Sequence, residues 1–190
     1  MDLRGMKRFA IPAMLLMAAT VAAAGDEEKS VANPKEIHDA YAKQEQQVVG
    51  QLLRIQTPET AFDYVNFCLS GPVVVLTGFT TKGPLKQEAE GNVKSLKWVE
   101  HVVNEIEILP VTSELRSMRQ SILGSLSQAL PQSFPAGHAN IRIKVTADFQ
   151  VTLVGVIDPL DKMSLESAVV QIKQMPLVKS VTNQVLATLN

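Results

Sequence analysis

The sequence predicts an α/β (α+β) protein of two tandem α-β-β-α-β units, each a three-stranded mixed sheet covered by two helices. Three observations predict it. The back half repeats the front half: at a shift of 79 positions Ala89 falls on Ala168, Val93 on Ile172, Val99 on Val178, Val102 on Val181 and Asn104 on Asn183. Self-similarity at that period marks a duplicated unit. Each half also holds stretches with apolar residues at helical steps of three, four and seven, and others that alternate strictly, the periods of helices and half-buried strands. Finally, Gly, Pro, Asn and Asp fall between those stretches, where reversals of the chain need them.

In chain order, residues 1–24 read as a cleavable signal peptide. Arg4, Lys7 and Arg8 form a positive start, Phe9 to Met17 an apolar core, and Ala22-x-Ala24 the small residues of a cleavage site. Residues 25–32 read as a flexible polar tether. The first unit occupies 33–110. Asn33, Pro34 and Glu36 have the chemistry of a helix start, and Ile37, Tyr41, Val48, Leu52 and Ile55 make one apolar face that runs to Thr57-Pro58. Tyr64 to Leu69 and Val73 to Thr77 read as a hairpin around Ser70-Gly71-Pro72, with Gly78 ending the second strand. Leu85, Ala89, Val93 and Leu96 mark a second helix, and Val99 to Leu109 a closing strand stopped by Pro110.

The second unit, 111–190, repeats that order. Thr112 or Ser113 caps a helix with Leu115, Met118, Ile122 and Leu126 on one face. Pro131 to Gly137 is a loop, Ile141 to Val145 a strand, Ala147-Asp148 a turn, and Phe149 to Val154 the partner strand ending at Gly155. Asp161 reads as the cap of a helix through Ile172, its inward face Leu165, Ala168, Val169 and Ile172. Val178 to Leu189 is the last strand, with a slip in alternation near Val185-Leu186 that reads as either a bulge or a fraying end.

Charge and chemistry exclude whole classes. The chain has a net charge of −1, and losing the leader makes it more acidic. That argues against nucleic acid as a partner, since such affinity comes from clustered Lys and Arg. The single Cys68 cannot form an internal disulfide and reads as a buried apolar thiol. His38, His101 and His138 have no metal-ligand spacing with each other or with Cys68. Gly78 to Gly83-Pro84 lacks the Lys-Ser/Thr of a phosphate loop. No nucleophile elbow or paired His-Glu helix motif is present. The expectation is therefore a protein that is not an enzyme and uses no cofactor or metal.

Two segments in each half carry a family resemblance: Val74-Val75-Leu76-Thr77-Gly78 with Val99-Glu100-His101-Val102-Val103-Asn104, and Val151-Thr152-Leu153-Val154-Gly155 with Val178-Lys179-Ser180-Val181-Thr182-Asn183. Each copy resembles a BON domain, the module named for bacterial osmotic-stress and nodulation proteins. Trp98 and Leu177 stand where that family usually has Gly. The resemblance implies a periplasmic, non-enzymatic envelope protein that binds phospholipid or envelope proteins and supports the envelope under stress. The competing reading is a structural subunit of a self-assembling or secretion-associated complex, which leaves room for a homo-oligomer.

The residues themselves suggest roles. Gly78, Asn104, Gly155 and Asn183 read as structural motif residues, because Gly and Asn suit turns and unusual backbone angles. Trp98, the only Trp, is the candidate interface residue, since indole prefers the boundary between water and apolar surface. The rival reading is that Trp98, like Leu177 in the second copy, packs over the sheet edge. The open face of each sheet is the expected meeting place with the other copy, a partner or a membrane.

Overall fold

A computed structural model describes residues 34–55, 61–135 and 139–188. The signal peptide, the tether, the Asn33 cap and His138 lie outside the described residues. The element order is α1 (Pro34–Leu52), β1 (Tyr64–Ser70), β2 (Val73–Thr80), α2 (Gly83–Lys94), β3 (His101–Asn104), β4 (Glu107–Ile108), α3 (Ser113–Ala129), β5 (Ile141–Val145), β6 (Gln150–Ile157), α4 (Lys162–Lys173) and β7 (Ser180–Ala187). Both halves thus give mixed sheets with two helices each.

In the first sheet β1 and β2 are antiparallel, and β3 and β4 both run parallel to β2. Ser70 faces Val73, so Gly71-Pro72 is a two-residue loop. Gly71 has φ +57°. A positive φ followed by proline's fixed negative one is the demand of a type II′ turn, whose twist matches the strands it joins. The second sheet repeats the plan, with β5 and β6 antiparallel and β7 parallel to β6 from Gln150–Ser180 to Ile157–Ala187.

Two apolar cores result. One gathers Val48, Val74, Leu76, Ala89, Val93 and Ile106 between α1, α2 and the first sheet. The other is larger and packs Leu115, Met118, Ile122 and Leu126 of α3, with Leu165, Ala168, Val169 and Ile172 of α4, on Ile141, Ile143, Val151 and Leu153. The spacing of those helix residues puts one apolar stripe against the sheet, where burial provides most of a short helix's stability. α3 starts as its sequence predicts: the Thr112 hydroxyl accepts the Leu115 N–H at 3.3 Å, satisfying a donor the helix leaves open.

Several polar contacts tie the halves together. The Ile143 N–H donates to the Ala61 carbonyl at 2.6 Å on the outer side of β5. Ala61 and Phe62 pack into the larger core although they lead into β1. Lys144 of β5 pairs with Glu107 of β4. Buried Arg119 donates to the Pro110 carbonyl at 2.8 Å and the Val145 carbonyl at 3.1 Å. Burial pulls its guanidinium pKa down, and the carboxylate of Asp63 opposes that fall.

The structure corrects five details. β2 and β6 run on through Gly78 and Gly155 to Thr80 and Ile157. The closing strand of the first unit is split into β3 and β4, because Ile106 turns inward and is fully buried between them. Asp161 makes no side-chain cap. Asp158 instead accepts the Leu160 N–H at 2.9 Å and caps a short 3₁₀ turn, Pro159–Asp161, ahead of α4. β7 keeps unbroken register with β6 and has no bulge. Cys68 is exposed, since it alternates with the core-facing Phe67 and Leu69 on β1.

Candidate interaction surface

The motif residues occupy equivalent places in the two halves. Gly78 has φ +120° and Gly155 φ +154°, and a Cβ on either would lie 2.0 Å from a carbonyl oxygen, of Tyr64 and of Asn140 respectively. Each glycine therefore lets two strand backbones come together mid-sheet. Asn104 and Asn183 also match. Asn104 Oδ1 accepts the Ile106 N–H at 3.2 Å, and Asn183 Oδ1 accepts the Val185 N–H at 3.0 Å.

Asn104 does more than its counterpart. Its amide donates to the Lys86 carbonyl at 2.8 Å and to Glu90 Oε2 at 3.1 Å, fastening α2 to β3. Hydrogen bonds from Lys94 and then Asn104 hold the Glu90 carboxyl below its usual pKa. Asn183 is exposed and makes only the local bond among those described. Asn104→Ala is expected to cost about 2 kcal/mol and Asn183→Ala under about 1 kcal/mol, by the ordinary worth of the bonds removed. Urea denaturation of the two variants would check the difference.

Trp98 and Leu177, aligned in the repeat, behave differently. Trp98 is half-buried against the smaller core, and its indole N–H donates to Gln47 Oε1 at 2.6 Å, holding α1 to the corner before β3. Leu177 does not pack this way. It is 61% exposed and adopts φ +70°. Leu177 is the third residue of the turn closed by the Val178 N–H on the Met175 carbonyl at 3.3 Å, a position that asks for a positive φ and that costs an L-residue about 1–2 kcal/mol.

Leu177 is one of several exposed apolar residues on the outside of α4 and in the turns at its ends. Leu160 is 90% exposed, Met163 80% and Val170 54%. Met163 and Val170 stand two helical turns apart, opposite the buried Leu165, Ala168, Val169 and Ile172. Leu160, in the short turn before α4, and Leu177, in the turn after it, are further exposed apolar residues at the two ends of the helix. Exposed Lys162, Lys173 and Lys179 lie around them, and exposed Glu166, three residues after Met163 and four before Val170, stands on the same outer face between the two. The first copy is an internal control: the residues aligned with Met163 and Val170 are Pro84 and Gly91. The same fold is built there without outward apolar side chains. Exposed apolar side chains at these positions are thus not a requirement of the architecture, which makes the outside of α4 the candidate contact surface.

The open faces of the two sheets also meet. A cleft of 510 Å³ is lined by Tyr64, Asn66, Gly78 and Phe79 from the first sheet and Lys144, Thr152, Val154 and Gln184 from the second. Tyr64 and Phe79 rings lie 5.9 Å apart, and burial raises the Tyr64 hydroxyl pKa. The copies therefore touch across part of the faces expected to meet. Among the described residues no group of three His, Cys, Asp or Glu side chains is placed to hold a metal. No helix among them is long and apolar enough to cross a membrane.

A mixed α+β module with a glycine-kinked central strand and a capped final strand is the class this geometry defines. Comparison agrees for the second half: residues 120–187 match the BON domain. No curated protein matches the chain. Among solved structures, one of CdsD, a structural protein of the type III secretion system of Chlamydia trachomatis, is 14% identical, covers 77% of this chain and 92% of its own, with a TM-score of 0.29. A second, of the CdsD C-terminal domain, is 15% identical and covers 84% of this chain and 100% of its own, with a TM-score of 0.30.

The surface along α4 is what sequence reasoning missed. Its signal was present as apolar residues left over once the buried face was complete, with no counterpart in the other copy.

Proposed function

We propose that the chain is an exported, non-enzymatic envelope module of two BON-like units, 33–110 and 111–190, that binds phospholipid surfaces through the outside of α4 and supports the envelope under stress. The observation that carries this reading is the exposure of Leu160, Met163, Val170 and Leu177 in the segment matching the BON domain. The physical logic is interfacial. Apolar side chains enter the acyl boundary while the surrounding lysines stay at the headgroups. The reading of residues 1–24 as a signal peptide supports a periplasmic location, facing such surfaces. Trp98 serves the module by fastening α1, and Gly78, Asn104, Gly155 and Asn183 build the two scaffolds.

Flotation of the protein lacking residues 1–24 with lipid vesicles tests the reading. Binding is expected to neutral phosphatidylcholine vesicles, with a modest, salt-sensitive gain when phosphatidylglycerol is added, since few lysines are involved. No flotation with either composition, together with a large discrete assembly by light scattering, would favour the structural-subunit reading instead.

Leu177 supplies a distinguishing variant. Leu177→Gly relieves the left-handed strain and should raise stability by about 1 kcal/mol, while lowering vesicle binding. Opposite changes in melting temperature and flotation are the signature of strain kept for contact.

A further inference from the structure

The second sheet ends at β7, and no described strand pairs its outer edge. Exposed strand edges are usually protected by charge, proline, bulges or short length. The corresponding edge of the first sheet follows that rule: it is split into β3 and β4 and carries His101, Glu105 and Glu107. β7 does not. Its eight residues, Ser-Val-Thr-Asn-Gln-Val-Leu-Ala, run unbroken with no charged residue and no proline. Val181 and Val185 are only half-buried, whereas Ile141, Ile143, Val151 and Leu153 on the inner strands are almost wholly enclosed.

We propose that β7 is the interface between two copies of this chain, paired antiparallel about Asn183 into a six-stranded sheet. The edge is self-complementary about that residue, as a two-fold contact requires. Val181 faces Val185 of the second copy, Asn183 faces its twin, and Thr182 faces Gln184. No charged residue meets another within the paired strands. The backbone fits as well. The Thr188 N–H bonds to the Ile157 carbonyl of β6, whereas the Val185 N–H takes the Asn183 side chain. Alternation along the strand then turns the main-chain groups of Val181, Asn183 and Val185 outward. In the pair, the Val185 N–H exchanges the Asn183 side chain for the Val181 carbonyl of the second copy. A groove beside the start of β7, lined by Lys173, Val178, Lys179, Ser180 and Val181, receives the end of the opposing strand. This interface shares Lys173 and Lys179 with the rim of the α4 surface but none of its exposed apolar side chains, and it is tested without lipid.

Sedimentation equilibrium of the protein purified after export is expected to show a concentration-dependent dimer. Thr182 and Gln184 form close, non-hydrogen-bonded cross-strand pairs in this register. Thr182→Glu with Gln184→Glu should therefore weaken the dimer at least tenfold, and Thr182→Lys with Gln184→Glu should restore it. A second measurement fixes the register. In a Cys68→Ser background, Asn183→Cys should give a disulfide-linked dimer under mild copper-phenanthroline oxidation, because facing residues at the axis lie within disulfide reach, whereas Ala187→Cys should not. A wild-type monomer at every concentration, a dimer indifferent to the paired glutamates, or equal cross-linking at both positions would overturn the proposal.

Discussion

Gly155→Ala is expected to destabilise the protein by at least about 3 kcal/mol. The added Cβ would stand 2.0 Å from the carbonyl oxygen of Asn140, the residue just before β5, and 2.9 Å from the Cα of Ile141, its first residue. Neither can move without breaking the β5–β6 register, and φ +154° is itself costly for a side-chain-bearing residue. Gly78→Ala should behave alike, since its Cβ would meet the Tyr64 carbonyl at the same distance. Gly124 is the control. It lies inside α3 with nothing within 4 Å of an added Cβ, so Gly124→Ala should stabilise by about 0.5–1 kcal/mol. Thermal melting followed by circular dichroism would show shifts of opposite sign. A tolerated Gly155→Ala would mean that β5 and β6 do not approach as described.

The second large effect concerns binding. Met163→Glu with Val170→Glu should abolish vesicle binding while leaving the melting temperature close to that of the wild type. Each of these side chains is more than half exposed, so neither holds the core together. Moving such a side chain from water to an apolar medium is worth roughly 1.5–3 kcal/mol. Losing two contacts therefore lowers partitioning by on the order of a hundredfold or more, before the cost of placing two carboxylates at the surface of a bilayer. Pro84→Glu with Gly91→Glu, at the aligned positions of the first copy, should leave binding unchanged. Equal losses from both pairs would show that the outside of α4 has no special role.

Much of the scaffold was legible because the duplication allowed each element to be read twice. The apolar face of α3 could be named residue by residue, since one period accounts for Leu115, Met118, Ile122 and Leu126 together. The split of the first closing strand could not. It depends on Ile106 turning inward and on Asn104 reaching the Lys86 carbonyl of α2, a contact between segments distant in sequence. Local cap chemistry misled at Asp161 because Asp158, three residues earlier, captures the turn first. The polar bridge of Arg119 to Pro110 and Val145 was equally hidden, because arginine within an amphipathic helix reads as a solvated residue. The surface along α4 escaped for a different reason. Periodicity explains a helix once its buried face is found, and it gives no weight to apolar residues on the opposite face. Only comparison with Pro84 and Gly91 shows that Met163 and Val170 are surplus to the fold.

Fluorescence from a single environment-sensitive probe tests membrane contact most directly. With Cys68, the only native cysteine, replaced by serine, a cysteine at position 170 can carry the label, and one at position 91 serves as its aligned control. On adding vesicles, emission from position 170 should shift to the blue and brighten, and emission from position 91 should not change. An unchanged spectrum at 170, or the same shift at both positions, would contradict membrane contact through the outside of α4.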